Sequence, residues 1–222
     1  MSLYTFSKSN KMLMAPKPQG LRIEESTDIT LLAIMGTTTV EDVINRLGND
    51  HVAFVAYLNQ QPAAFGWMAR GKARIGELNH EIVLPIGNRY LWNFRTLEPF
   101  RGMGIYPAVL QFIINYEAAI AHRFWIIHAP ENKSSLSGIS KAGFQFVGKL
   151  FVNYEGKPAI ETNNTSVGYG KLLADMDIAL SSQQPASCWN CSSPYLKKRT
   201  SECCCSPASM ECIGKNEYAM AF

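Results

Sequence analysis

An aromatic run, Arg89 to Leu97, leads through Arg101-Gly102-Met103-Gly104-Ile105-Tyr106 into a stripe of Tyr106, Val109, Leu110, Ile113, Tyr116 and Ile120. Apolar residues at that spacing predict one buried face of a long helix, and the run before it has the composition of a strand. A strand that enters a helix through a short glycine loop narrows the choice of folds more than any other segment of the chain. Glycines let the backbone adopt conformations that a Cβ forbids and approach a ligand closely, while the amides at a helix start lack internal partners and carry partial positive charge. Pro107 suits a first helical turn but offers no N–H, so the donors must come from about Gly102 to Tyr106. Arg101 can add charge. A bare Gly-x-Gly more often marks only a tight turn, but between strand and helix it reads as an anion-binding loop.

The remaining elements fit around that unit. Leu21 to Glu24 reads as a strand and Asp28 to Met35 as a short helix; Thr39 caps a helix over Val40 to Leu47, which Gly48 stops. His51 to Leu58 and Ala63 to Arg70 form a hairpin, Glu77 to Leu84 is β-rich, and Phe124 to His128, Lys133 to Ala142 and Phe144 to Tyr154 read as strand, helix and strand. This order argues an α/β or α+β fold, a sheet covered by helices on its faces. The chain has 222 residues, 47% of them hydrophobic, enough for one mid-sized domain and an appendage. Residues 1 to 19 are expected to be a flexible segment, 20 to 180 the folded domain and 181 to 222 a cysteine-rich tail. Twenty-one Lys and Arg against eighteen Asp and Glu are too balanced for general capture of nucleic acid or anionic membrane. No run is long and apolar enough for a membrane span and no secretory signal is visible, so a cytoplasmic protein is expected.

Arg101-x-x-Gly104, then Asn132-x-x-Ser135 twenty-eight residues further on, then Gly143-Phe144, resembles the GCN5-related N-acetyltransferase (GNAT) superfamily over about residues 20 to 155. The resemblance implies a mixed, mostly antiparallel sheet whose two central parallel strands, Arg89 to Leu97 and Phe124 to His128, splay apart. It implies acetyl-CoA or another acyl-CoA as co-substrate. Arg101, Gly102, Met103, Gly104, Ile105 and Tyr106 would hold its pyrophosphate, Leu97 would also touch the cofactor, and Asn132 and Ser135 would lie beside the pantetheine arm. The implied reaction is N-acyl transfer by direct attack of a small-molecule amine, or of an amine on a peptide or protein. Retention of the fold for acyl-CoA binding or regulation without turnover is the alternative.

The sequence also departs from that pattern. Tyr106 replaces a small residue and is expected to pack its ring sideways into the core. Ile139, seven residues after Asn132, stands where many members carry a proton-donating Tyr. His128 follows the apolar run Phe124-Trp125-Ile126-Ile127 and reads either as a core histidine or as the catalytic base. Glu77, His80 and Glu81 could face a cleft or form a solvated edge, and Tyr90, Trp92 and Phe94 alternate onto one strand face. All six cysteines lie at or beyond Cys188. Cys188 and Cys191 form a Cys-x-x-Cys that Cys205 and Cys212 could complete as a structural zinc site; a reducible thiol tail and disulfides are the other readings.

Overall fold

The structure, a computed structural model, describes residues 1–10, 14–129, 132–153, 155–161 and 169–182. The strands are β1 (Ser2–Ser7), β2 (Leu21–Ser26), β3 (His51–Leu58), β4 (Gln61–Ala69), β5 (Lys72–Ile75), β6 (His80–Val83), β7 (Asn88–Thr96), β8 (Arg123–His128), β9 (Gln145–Val152), β10 (Pro158–Glu161) and β11 (Ala179–Ser181). The helices are α1 (Ile29–Gly36), α2 (Val40–Gly48), α3 (Ile105–Tyr116), α4 (Lys133–Lys141) and α5 (Gly170–Asp175). Asp28 and Thr39 cap α1 and α2, accepting the amides of Leu31 and Asp42 at 2.9 and 3.0 Å, and so absorb donors that a helix start leaves unpaired.

One sheet runs β11-β10-β9-β1-β8-β7-β4-β3-β2, and β5 and β6 form a separate hairpin. The pairings in the large sheet are antiparallel except β7 with β8 and β10 with β11. Side chains alternate across it, as strands require. Phe54, Leu91, Phe124 and Ile126 pack with Ile105, Val109, Leu110 and Ile113 of α3 and Ile139 of α4 on one face. The opposite face packs Val55, Phe65 and Trp67 against Leu32 and Val43 of α1 and α2, and Tyr90 and Trp125 with Leu173 of α5. The architecture is thus mixed α/β, mostly antiparallel, with helices on both faces. No described helix is long and apolar enough to cross a membrane.

Four details differ from the sequence reading. Residues 2 to 7, assigned there to a flexible segment, form a central strand between β8 and β9. Leu3 and Phe6 are buried on opposite faces and the Thr5 hydroxyl donates to the Phe124 carbonyl at 2.9 Å. The β-rich stretch at Glu77 is part of a hairpin whose turn is a single 3-10 turn, Gly76–Leu78. Helix α3 ends at Tyr116, and Ile120, counted in its stripe, is exposed; Glu117 turns inward there to two arginines. Finally, Tyr90, Trp92 and Phe94 do not share a face. Asn93 has a φ of 51° and two steps on β4 (Trp67 to Phe65) match three on β7 (Trp92 to Arg95), so a bulge moves Phe94 to the α3 side.

Candidate functional site

Strands β7 and β8 pair from Asn88 with Arg123 to Leu91 with Ile126 and no further. Beyond that point the two strands leave backbone groups facing a gap rather than each other. The gap opens into a cleft of about 1310 Å³ lined by both strand ends, the loop before α3 and the first turns of α4. A parallel pair held apart in this way gives an extended ligand a set of unpaired amides and carbonyls on both sides.

At one end lies the glycine loop. After a 3-10 turn, Glu98–Phe100, the chain passes through Gly102 at φ 79° and Gly104 at φ 77° into α3. Among the described residues, no carbonyl is hydrogen-bonded to the amides of residues 102–106; the first α3 amide paired there is that of Ala108, to Gly104 at 3.4 Å. Unpaired amides, a helix start and an adjacent arginine fit a phosphate or pyrophosphate. The Arg101 guanidinium donates to the Thr96 carbonyl at 3.3 Å, which orients it beside the cleft. Arg101, Gly102, Gly104, Ile105 and Tyr106 all line the cleft; Met103 is half-exposed at the tip of the loop. Leu97 does not: its side chain packs with Phe65 and Trp67 on the other face, and its amide donates to Ala63 at 2.8 Å.

The Tyr106 ring lies sideways between α3 and α4, 5.5 Å from the Phe94 ring centroid. Its hydroxyl is 3.5 Å from Ser135 Oγ, and burial pushes its pKa up to about 12. Gly138 makes room for it: a Cβ there would come within 2.3 Å of the Tyr106 Cδ1. Gly138→Ala is therefore expected to displace the ring, cost about 1–3 kcal/mol in a urea melt, and weaken binding of whatever occupies this side of the cleft.

Asn132 and Ser135 also line the cleft, but the Asn132 Oδ1 is engaged as the α4 cap, accepting Ser135 N at 3.0 Å and Ser134 Oγ at 2.9 Å. His128 is 3% exposed. Its Nε2 donates to the Asn132 carbonyl at 2.8 Å, while Nδ1 is buried with no partner among the described residues. Trp125 belongs to the opposite face and Phe124 and Ile126 to the α3 side, so alternation puts His128 on the α3 and α4 side. Ile139 is fully buried in that core, so its position carries no acid.

Four residues at the far end went unread or undervalued in the sequence: Arg46 from α2, His51 from β3, Arg74 from β5 and Glu77 from the hairpin turn. Nothing in their spacing announces that they converge, since the sheet brings them together. His80 and Glu81, weighed with Glu77, lie elsewhere: His80 Nε2 donates to Met176 and Glu81 pairs with Lys72. Cys188, Cys191, Cys205 and Cys212 lie outside the described residues, and among the described residues no three His, Cys, Asp or Glu cluster as metal ligands.

No protein-family model matches the chain, and no characterised protein matches it in sequence. Among solved structures it is similar to a GCN5-related N-acetyltransferase from Kribbella flavida, at 11% identity and a TM-score of 0.45 over 65% of this chain. The match spans 53% of that protein, so the chain corresponds to about half its length. It is also similar to the ribosomal-protein-S18-alanine N-acetyltransferase from Escherichia coli, at 15% identity and a TM-score of 0.46 over 60% of this chain and 83% of that one. A predicted acetyltransferase with acetyl-CoA from Clostridium acetobutylicum is similar at 18% identity and a TM-score of 0.40, over 56% and 90% of the two chains. The mixed, mostly antiparallel sheet, the parting of β7 from β8 and the glycine loop that follows β7 are the features that the sequence resemblance to the GCN5-related N-acetyltransferases implies.

Proposed function

We propose that this protein is an acyl-CoA-dependent N-acyltransferase with acetyl-CoA as donor and an amine as acceptor. The observation that carries the reading is that unpaired amides at the α3 start and the unladdered edges of β7 and β8 open onto one cleft. The donor supplies an activated thioester: the amine nitrogen bonds to the acyl carbon as the C–S bond breaks, and the proton lost by nitrogen offsets the charge on the departing sulfur. The amides of residues 102–106 and Arg101 hold the pyrophosphate. The open edges of β7 and β8 orient the amide-rich arm, and Phe94 and Tyr106 wall it from water.

Tyr106 does not serve as the proton donor in this scheme. A phenol held near 12 lies well above an ordinary thiol at about 8.5, so transfer to a thiolate is uphill. His128 acts as a positioning residue, tying the Asn132 carbonyl to the end of β8. His128→Gln is accordingly expected to raise the KM for acetyl-CoA several-fold and leave the pH profile of kcat unmoved. A shifted profile would make His128 the base instead. The reading as a whole is tested by offering acetyl-CoA with a panel of amines and measuring CoA release. Release that depends on the amine is expected; binding of acetyl-CoA with no release for any amine would favour a binding or regulatory role.

A further inference from the structure

We propose that the acceptor amine carries an anionic group, a carboxylate or a phosphate, and that Arg46 on the face of the sheet away from α3 selects it. This rests on the acyltransferase reading and names the substrate class of the same cleft. Among the described residues that line it, the cleft presents Arg46, Arg74, Arg95, Arg101 and Lys141 against the single carboxylate of Glu77. That excess is local, because the whole chain is nearly balanced. Arg101 belongs to the glycine loop and Lys141 to α4, whose Gly138 abuts Tyr106, so both lie on the donor side. Arg46 belongs to α2, on the opposite face of the sheet, and the donor's phosphates give it no partner.

No carboxylate within the described residues closes on Arg46 as an ion pair. Its guanidinium lies 4.8 Å from the Trp92 ring centroid and 5.3 Å from that of Trp67. Asp42, one turn earlier on α2, is bound by the Thr38 hydroxyl at 2.6 Å and the Thr39 cap. Burial lowers the pKa of Arg46, and the charge of Asp42 opposes that effect without cancelling it.

Beneath it are further unsatisfied groups. Trp67 Nε1 and Trp92 Nε1 are both buried with no acceptor among the described residues, although Trp67 is only 1% exposed. Buried donors of this kind are rare without a reason, and Trp92, whose ring lies under the guanidinium, also lines the cleft. His51 packs edge-on to Trp92 at 5.3 Å, and its Nε2 donates to the Lys72 carbonyl at 2.9 Å. Burial lowers its pKa, with the charge of Arg46 adding to that effect and the Lys72 carbonyl and Asp50 opposing it, so the ring adds no second positive charge near neutral pH. Glu77 supplies the opposite sign at the same end, where burial and its carboxylate together raise the pKa of Tyr90. A cation and an anion in one recess match a molecule that holds an amine and an acid together.

The test uses the full chain and acetyl-CoA with paired acceptors: α-amino acids against their amides, and phosphorylated amino sugars against the unphosphorylated sugars. One anionic set should be favoured over its neutral counterparts by about tenfold or more in kcat/KM, the size of a charge-assisted contact, and whichever set it is identifies the anion. Arg46→Met, which keeps apolar bulk over the indoles, should collapse that ratio to about one through KM while acetyl-CoA affinity by calorimetry stays unchanged. Equal use of neutral and anionic amines, no transfer to any of them, or a ratio that survives Arg46→Met overturns the proposal but leaves donor binding intact. Failure of the unaltered chain to bind acetyl-CoA removes the acyltransferase reading, and this proposal with it.

Discussion

Gly104→Val is expected to abolish the stabilisation that coenzyme A confers on the folded chain. A ligand at a hundredfold excess over its Kd stabilises the native state by about 2.7 kcal/mol, and that increment should vanish in the variant. Gly104 caps α3 at φ 77° and ψ 10°, in the left-handed region that a β-branched residue scarcely enters. A Cβ there would also stand 3.0 Å from the Pro16 carbonyl oxygen. The unliganded variant should lose roughly 1–3 kcal/mol from this strain, which leaves a folded protein whose melting can be compared with and without CoA. Met103→Ala provides the contrast. Its side chain is 47% exposed and its amide is unchanged by the substitution, so the CoA shift should persist.

Glu117→Ala should be the most damaging single change to stability, costing about 3–5 kcal/mol, the range for breaking one partner of a buried ion pair. The Glu117 carboxylate is 1% exposed and receives Arg70 at 2.7 Å on one oxygen and Arg89 at 2.6 Å on the other. Arg70 can turn to solvent, but Arg89 is 7% exposed and would keep an uncompensated charge beside the paired end of β7 and β8. Chemical denaturation measures the loss. Arg89→Met combined with Glu117→Leu should recover much of it, since removing both charges avoids the stranded one. A loss below about 1 kcal/mol for Glu117→Ala would mean that the network is solvated and dispensable.

Most of the fold could be read from local pattern. The α2 cap at Thr39, the hairpin of β3 and β4, and the passage from β7 through glycines into α3 are each written in fewer than twenty consecutive residues. What escaped was long-range. Ser2–Ser7 has an ordinary strand composition, but its place between β8 and β9 depends on contacts more than a hundred residues away, such as Thr5 with Phe124. The Asn93 bulge escaped for a related reason. Strict alternation is the default expectation, and only the pairing with β4 shows two residues, Asn93 and Phe94, opposing one, Gly66. In the cleft, the glycine loop was legible because its chemistry is local, whereas Arg46, His51 and Arg74 come from three elements that the sheet alone assembles. Leu97, next to the loop in sequence, packs its side chain on the other face of the sheet, which no local pattern announces.

Calorimetric titration of the unmodified chain with coenzyme A probes the donor cleft itself. Saturable binding of one CoA per chain is expected, weakened by added salt because phosphate charge meets Arg101 and the α3 amides, and absent in Gly104→Val. A folded, unmodified chain that releases or takes up no heat with CoA, and whose melting temperature CoA does not move, would contradict that expectation.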